Sequence, residues 1–466
     1  IPHIMAGSGR MAVSVRPEPV ELVFMGPYPM TLKLRPEYGL LCAVPFAFLL
    51  HATISLAAAP QSRAAAGVFD VRAYGAKGDG SALDTRAIQS AVDACAITGG
   101  EVVFTPGTYR SGTIELRSHV SLRLMRGAVL LGSTDLKDYP ERIPSVRSYT
   151  DSYVKRSLVY GDKLKDVGIC GEGTIDGSGT APQFQVNDYY SRPYVIRLAA
   201  CSGVRVSGVT LLNSPMWMQL YLACENVTVS GIRVWNHGNR NNDMIDFDGC
   251  RNVVMSDCIG DTDDDGITIK STSPAVSEHI AITNCVVSSH CNAIKMGTES
   301  VGGFRNIAIS NCTVKPSDDR NVVYGVADGI SGIALEIVDG GVMENITISN
   351  IAIDRVGTPL FIRLGDRGRK YNPDAPAPGM GRMRGIIISD VTARGINVTS
   401  SITGIPGHMV EDVVLRDIRL VSTGGGSGKD TVRPVPENEK KYPEASMFGT
   451  RLPAYGLYVR HVKGID

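Results

Sequence analysis

From Asp166 to Leu420 the chain repeats one pattern: DVGICGEGTIDG, GVRVSGVTL, NVTVSGIRV, NVVMSDCIG, HIAITNCVV, NIAISNCTV, NITISNIAI, GIIISDVTA and DVVLRDIRL. Each copy has alternating β-branched residues, a small polar turn and a second short strand. Several successive intervals are about 23 to 27 residues, the range in which repetition signals a solenoid. Strands this short, with no helix between them, cannot form a doubly wound sheet. They can coil so that rungs stack about 4.8 Å apart and bury one continuous core. The expected fold is an all-β, single-domain parallel β-helix. Phe69 to Cys95 supplies its N-terminal capping helix, starting near Asp84, with Ala87, Ile88, Ala91 and Val92 at helical spacing. GGEVVFTPGTYRSG and HVSLRLMRGAVLLGS read as strands joined by turns. Later intervals stretch at 316–331 and 363–381, so longer loops are expected there, walling a groove. STGGGSGKD reads as a flexible link, and the closing strand GLYVRHV leads us to expect that the last rungs are missing.

Residues 1–29 carry no readable pattern. From Met30 two cations, an apolar run from Leu40 to Leu50 and small residues follow, which reads as a secretory signal peptide over 30–66. The run is short of the roughly 20 residues a membrane span needs. A secreted or periplasmic chain is expected, without membrane attachment after cleavage. Lys plus Arg number 47 and Asp plus Glu number 47, so no net charge points to nucleic acid. Removing Cys42 leaves nine of the ten cysteines, an odd number that argues against a disulfide framework. Their recurrence in AAC, LAC, DGC and in SDC, TNC, SNC predicts stacks of small buried side chains.

Asn239 to Lys270, NRNNDMIDFDGCRNVVMSDCIGDTDDDGITIK, holds eight aspartates around two apolar strands. Carboxylates among Ile, Met and Phe are costly unless paired or used, and crowding raises the pKa of at least one. The repeats place Asp243 and Asp265 at equivalent positions on adjacent rungs, with Asp264 and Asp246 close by. An inverting glycosidase needs one protonated carboxyl and one carboxylate holding a water, roughly 6.5 to 9.5 Å apart. Asp243, Asp264 and Asp265 can supply that set. The competing reading of the three as a calcium site lacks the further oxygen ligands calcium draws in.

NNDMIDFD and DDDGITIK, with the flanking SPMWMQL and GEGTIDG, resemble the motifs of glycoside hydrolase family 28, the polygalacturonases, from Phe69 to the C-terminus. The resemblance implies a right-handed parallel β-helix that hydrolyses pectic polysaccharide with inversion. The family's Asn-Thr-Asp falls on Asn241, Asn242 and Asp243, and its Asp-Asp on Asp264 and Asp265. It implies Asp264 as general acid, with Asp243 and Asp265 positioning and deprotonating the water. No metal or cofactor is required by that scheme, so full activity in chelator is expected, from a monomer.

Two departures stand out. The family's Gly-His-Gly places Asn292 in the histidine slot, and His290, two residues earlier on an alternating strand, is a substitute. Its Arg-Ile-Lys matches Ala334, Leu335 and Glu336, so that carboxylate grip is absent. A uronate substrate then needs another cation. Lys270, Lys295, Arg363, Arg367 and Arg369 are the candidates, with Arg363 preferred for its guanidinium fork. Trp217 reads as a sugar platform or as core. Asp246, Asp248 and Asp261 read as turn or pairing residues, His237 and His279 as structural, and the sequons at Asn226, Asn311, Asn345 and Asn397 as incidental. Competing functions are hydrolysis of rhamnogalacturonan or another plant glycan, a polysaccharide lyase, and a non-catalytic glycan-binding β-helix.

Overall fold

The computed structural model describes residues 67–186 and 188–466; the expected leader and signal peptide lie outside them. The described chain coils as a right-handed parallel β-helix. Its repeat sets the register. Val204, Val227, Val253, Ile280, Ile307, Ile346, Ile386 and Val413 stand one above another on successive rungs, all buried. Rungs begin earlier than Asp166, since Gly67 already pairs with Gly100 and Gly100 with Val120. The helix Thr85–Thr98 covers the open N-terminal end with Ile88, Ala91, Val92 and Cys95 buried.

Turn chemistry explains much of the repeat. Asn226, Asn252, His279, Asn306 and Asn345 all adopt the left-handed conformation at one corner, where Asn is tolerated better than most residues. Their side chains form a ladder, with Asn345 donating to Asn306 at 2.8 Å and Asn252 to Asn226 at 3.2 Å. Asn226 and Asn345 of the sequons therefore serve this turn, and Asn311, left-handed at another corner, accepts from Asn350 at 2.7 Å. Among the described residues nine cysteines are free thiols. Cys201, Cys224 and Cys250 stack on three rungs, as do Cys258, Cys285 and Cys312 on three others.

One sheet of eleven parallel strands differs from the rest. Elsewhere strands alternate buried and exposed residues, but Tyr194–Ala199, Gln219–Leu222, Ile245–Asp248, Ile267–Ser271, Asn292–Ser300, Ser331–Ile337 and Thr358–Leu364 are buried at every position. Their outward face is therefore covered. Over the early rungs Val146, Tyr153 and Val154 pack on Tyr194, Met216, Trp217 and Leu220. Over the late rungs Ala445, Met447, Phe448 and Leu452 pack on Ala334 and Phe361. The segment after STGGGSGKD thus folds back across the sheet, and Leu457–Arg460 then extends it. Between the two covers a pocket remains. Among the described residues no helix is long and apolar enough to cross a membrane.

Candidate active site

Register brings the aspartates together. Leu220 pairs with Asp246, Ile245 with Ile267 and Ile267 with Ile294, which sets Trp217, Asp243, Asp265 and Asn292 in one column, one per rung. Rungs about 4.8 Å apart make these side chains neighbours. Asp264 precedes Asp265, and its Oδ1 accepts the Asp265 N–H at 2.9 Å. All three aspartates line a cavity of about 230 Å³, with Asn241, Trp217, Lys270, Lys295, Glu299, Arg369 and the tyrosines 149, 153, 324 and 442. Larger hollows on the outer faces, such as that along Val254, Ala281 and Ala308, hold none of these carboxylates.

The three carboxyls are in different electrostatic settings. Burial and the neighbouring Asp243 and Asp265 push Asp264 well above the ordinary carboxylate range. Asp265 is equally buried, but Lys295 and Lys270 outweigh that and hold it low. Its Oδ2 is 2.8 Å from Lys295 Nζ, and Asn292 donates to Oδ1 from Nδ2 at 2.7 Å and from its backbone at 3.2 Å. Asp243 is raised by burial to about 6, tempered by Lys270, whose Nζ is 3.3 Å from Oδ2. Asp243 Oδ1 has no hydrogen-bond partner. Asp246 faces the same lysine at 3.4 Å and burial drives it well above the ordinary range. Around the cavity one carboxyl is thus pushed up, one is held down by its lysines and one lies between. That is the division of labour acid–base catalysis requires.

Several sequence expectations change. Arg363 is not a substrate grip: it is buried, donates to the carbonyls of Gly404 at 2.9 Å, Glu437 at 2.8 Å and Asn438 at 3.2 Å, and so pins the returning C-terminal segment. The guanidinium that reaches the pocket is Arg369, 2.9 Å from Glu299 and stacked over Tyr149. His290 is no stand-in for the family histidine, because it precedes the strand and its Nδ1 turns to Asp263 at 2.6 Å. Asn292 holds Asp265 instead of lining the cavity. Asn241 and Lys295 do line it; Arg192 donates to Asn241 Oδ1 at 3.1 Å. Trp217 is 5% exposed, with Lys270 Nζ 4.5 Å from its ring centroid. Asp248 accepts the Thr272 N–H at 2.7 Å, Asp261 that of Asp318 at 2.8 Å, and neither lines the cavity.

Sequence reasoning missed Glu299 and the four tyrosines. Glu299 had a weak signal in its place four residues beyond Lys295; the strand is irregular between them, and the pairing of Ser271 with Ser300 sets Glu299 beside Lys270, 3.7 Å away. The tyrosines had none, because each arrives on a segment outside the repeat: Tyr149 and Tyr153 before it, Tyr324 from the 316–331 loop, Tyr442 from the returning segment.

The chain is 36% identical over 211 residues to a probable polygalacturonase of Vitis vinifera, covering 42% of this chain and 43% of that one. It is 29% identical over 250 residues to an exo-poly-alpha-D-galacturonosidase of Dickeya chrysanthemi, covering 43% and 41%. It thus spans about two fifths of the length of these curated relatives. In fold it is similar to the exopolygalacturonase of Thermotoga maritima, with a TM-score of 0.64 at 21% identity over 76% of this chain and 87% of that one. The sequence profile of glycosyl hydrolases family 28 matches residues 100–438, and the chain belongs to that family.

Proposed function

We propose that this protein hydrolyses α-glycosidic bonds of pectic polysaccharide with inversion, removing sugars from a chain end. Asp264 donates its proton to the leaving oxygen as the bond to the anomeric carbon breaks. Asp243, through its open Oδ1, and Asp265 orient the attacking water and take up its proton. The observation that carries this reading is geometric: three adjacent carboxyls line one cavity, Asp265 held by Lys295 at 2.8 Å, Asp243 by Lys270 at 3.3 Å, and Asp264 turned to the Asp265 N–H at 2.9 Å. Covers on both sides of the pocket favour end-on over mid-chain attack. The relatives named above carry polygalacturonase names, which supports a pectic substrate. The sequence reading of a secreted or periplasmic, monomeric enzyme belongs to the same proposal.

A second substrate reading, a pectic chain ending in a neutral sugar, is favoured by one observation: Lys295, Lys270 and Arg369 are each already paired with a carboxylate. A uronate would have to compete for them. The test is a panel of polygalacturonate, rhamnogalacturonan and neutral pectic oligosaccharides, with products separated by chromatography and the first-formed anomer read by NMR. Monosaccharide of inverted configuration, without ultraviolet-absorbing product, is expected. Unsaturated product would replace hydrolysis by a lyase reaction, and no product from any glycan would leave a binding protein.

A further inference from the structure

Behind Asp264 lies a cluster the catalytic scheme does not use. Asp263, the first aspartate of the DDD run, is fully buried, and the side chains of His237 and His290 converge on it. His290 Nε2 is 3.0 Å from the Asp319 carbonyl, which only accepts, so that nitrogen carries a proton, and Nδ1 lies 2.6 Å from Asp263 Oδ1, close enough to share a second proton with it. His237 Nε2 is 3.0 Å from the Asp261 carboxylate, which likewise fixes a proton there. His237 Nδ1 then faces Asp263 Oδ2 at 4.0 Å with no hydrogen-bond partner, on a residue 7% exposed. A second proton on His290 can serve its own contact with Asp263. At 4.0 Å, no proton on Asp263 reaches His237.

A cation satisfies all three groups at once. Metal-binding histidines donate their second ring N–H to a carboxylate or a carbonyl, and here one does each. Bonds of about 2.0 to 2.1 Å at tetrahedral angles set ligand atoms about 3.3 to 3.4 Å apart. The contacts of 2.6 and 4.0 Å bracket that spacing. Two imidazoles and one carboxylate suit Zn²⁺ and similar transition ions, whereas Ca²⁺ and Mg²⁺ take oxygen ligands. Asp263 also accepts the N–H groups of Val323 and Tyr324 at 3.0 and 3.1 Å, while Asp261 holds Asp318. The cluster is therefore the anchor of the loop that carries Tyr324 to the pocket.

We propose that His237 Nδ1, His290 Nδ1 and Asp263 bind one transition-metal ion of the Zn²⁺ type, which ties the 316–331 loop to the β-helix and seats Tyr324 against the pocket. On binding, the ion displaces the proton shared by His290 and Asp263 to solvent. The ion serves the loop and not the bond-breaking step. Chelation is accordingly expected to raise KM with kcat retained, in place of the unchanged kinetics expected from sequence.

The test uses full-length protein stripped of metal and titrated with Zn²⁺ against a chromophoric chelator, with hydrogen exchange followed over 316–331. One ion per chain, slower exchange in that loop, and an affinity loss of at least about 100-fold in the His237→Gln/His290→Gln variant are expected. Asp261→Asn, which keeps every ligand, is expected to lose about 10 to 100-fold through the orienting bond alone. If the double variant does not fold, Asp261→Asn and the visible spectrum of Co²⁺ bound to the wild-type protein decide. Absence of saturable binding, binding equal in wild type and variants, or an octahedral aqua-like Co²⁺ spectrum overturns the proposal.

Discussion

Replacing Lys295 by Met tests whether the lysine sets the protonation of the water-side carboxylates. Lys295 Nζ lies 2.8 Å from Asp265 Oδ2, and the two side chains are 3% and 5% exposed. At that distance and an effective dielectric of about 20, the attraction is at most about 6 kcal/mol. Lys270 and the two Asn292 N–H groups remain in the variant, so Asp265 rises by only part of what the full attraction would allow. The direction follows from the sign: a carboxylate held below its ordinary value by a cation rises when the cation leaves. Lys295 also holds Asp243 down, so that group climbs from about 6 as well. The acid limb of the kcat/KM profile should therefore move to pH 7 or above. At pH 6 the loss is about 5-fold or more, recovering by pH 8, while Lys295→Arg keeps the wild-type limb. Because Asp265 can take up a proton, the destabilisation should stay near or below the lower end of the 3–5 kcal/mol typical of a broken buried pair. The assay is a pH–rate series on the best substrate of the panel, beside denaturant unfolding. An acid limb that stays in place, with the same loss at every pH, would refute the electrostatic argument and leave Lys295 as a substrate contact.

Asp264→Asn is expected to lower kcat by about 10² to 10⁴-fold with an unchanged unfolding midpoint, because the native carboxyl is already held neutral by burial and its neighbours; a normal kcat would assign the acid elsewhere. Arg363→Met strands the carbonyls of Gly404, Glu437 and Asn438, each costing about 1 to 3 kcal/mol when buried and unpaired. Hydrogen exchange should show residues 430–452 opening while the rungs stay protected. Glu336 is raised by burial to about 8, above the roughly 4.3 of an unfolded glutamate, so its contribution to stability is present below about 4.3 and is lost as pH rises through about 8. Glu336→Gln should remove a slope of up to about 1.4 kcal/mol per pH unit across that window. Parallel pH dependences of wild type and variant in urea would contradict it.

What the sequence determined by itself is what repeats. Rung period, the stacked Cys201, Cys224 and Cys250, the capping helix and the placing of Asp243 beside Asp265 all follow from local periodicity, because in a solenoid position along the chain converts directly into position in space. What only the tertiary structure decided came from segments that carry no period. Whether Arg363 reached the pocket depended on the returning segment, whose carbonyls of Glu437 and Asn438 capture it. Tyr442 enters the cavity on that same segment. His290 and Asn292 lie two residues apart, yet one anchors a loop through Asp263 and the other holds Asp265. The reason is physical: the strand begins at Asn292, so the alternation that would have put both on one face does not extend back to His290.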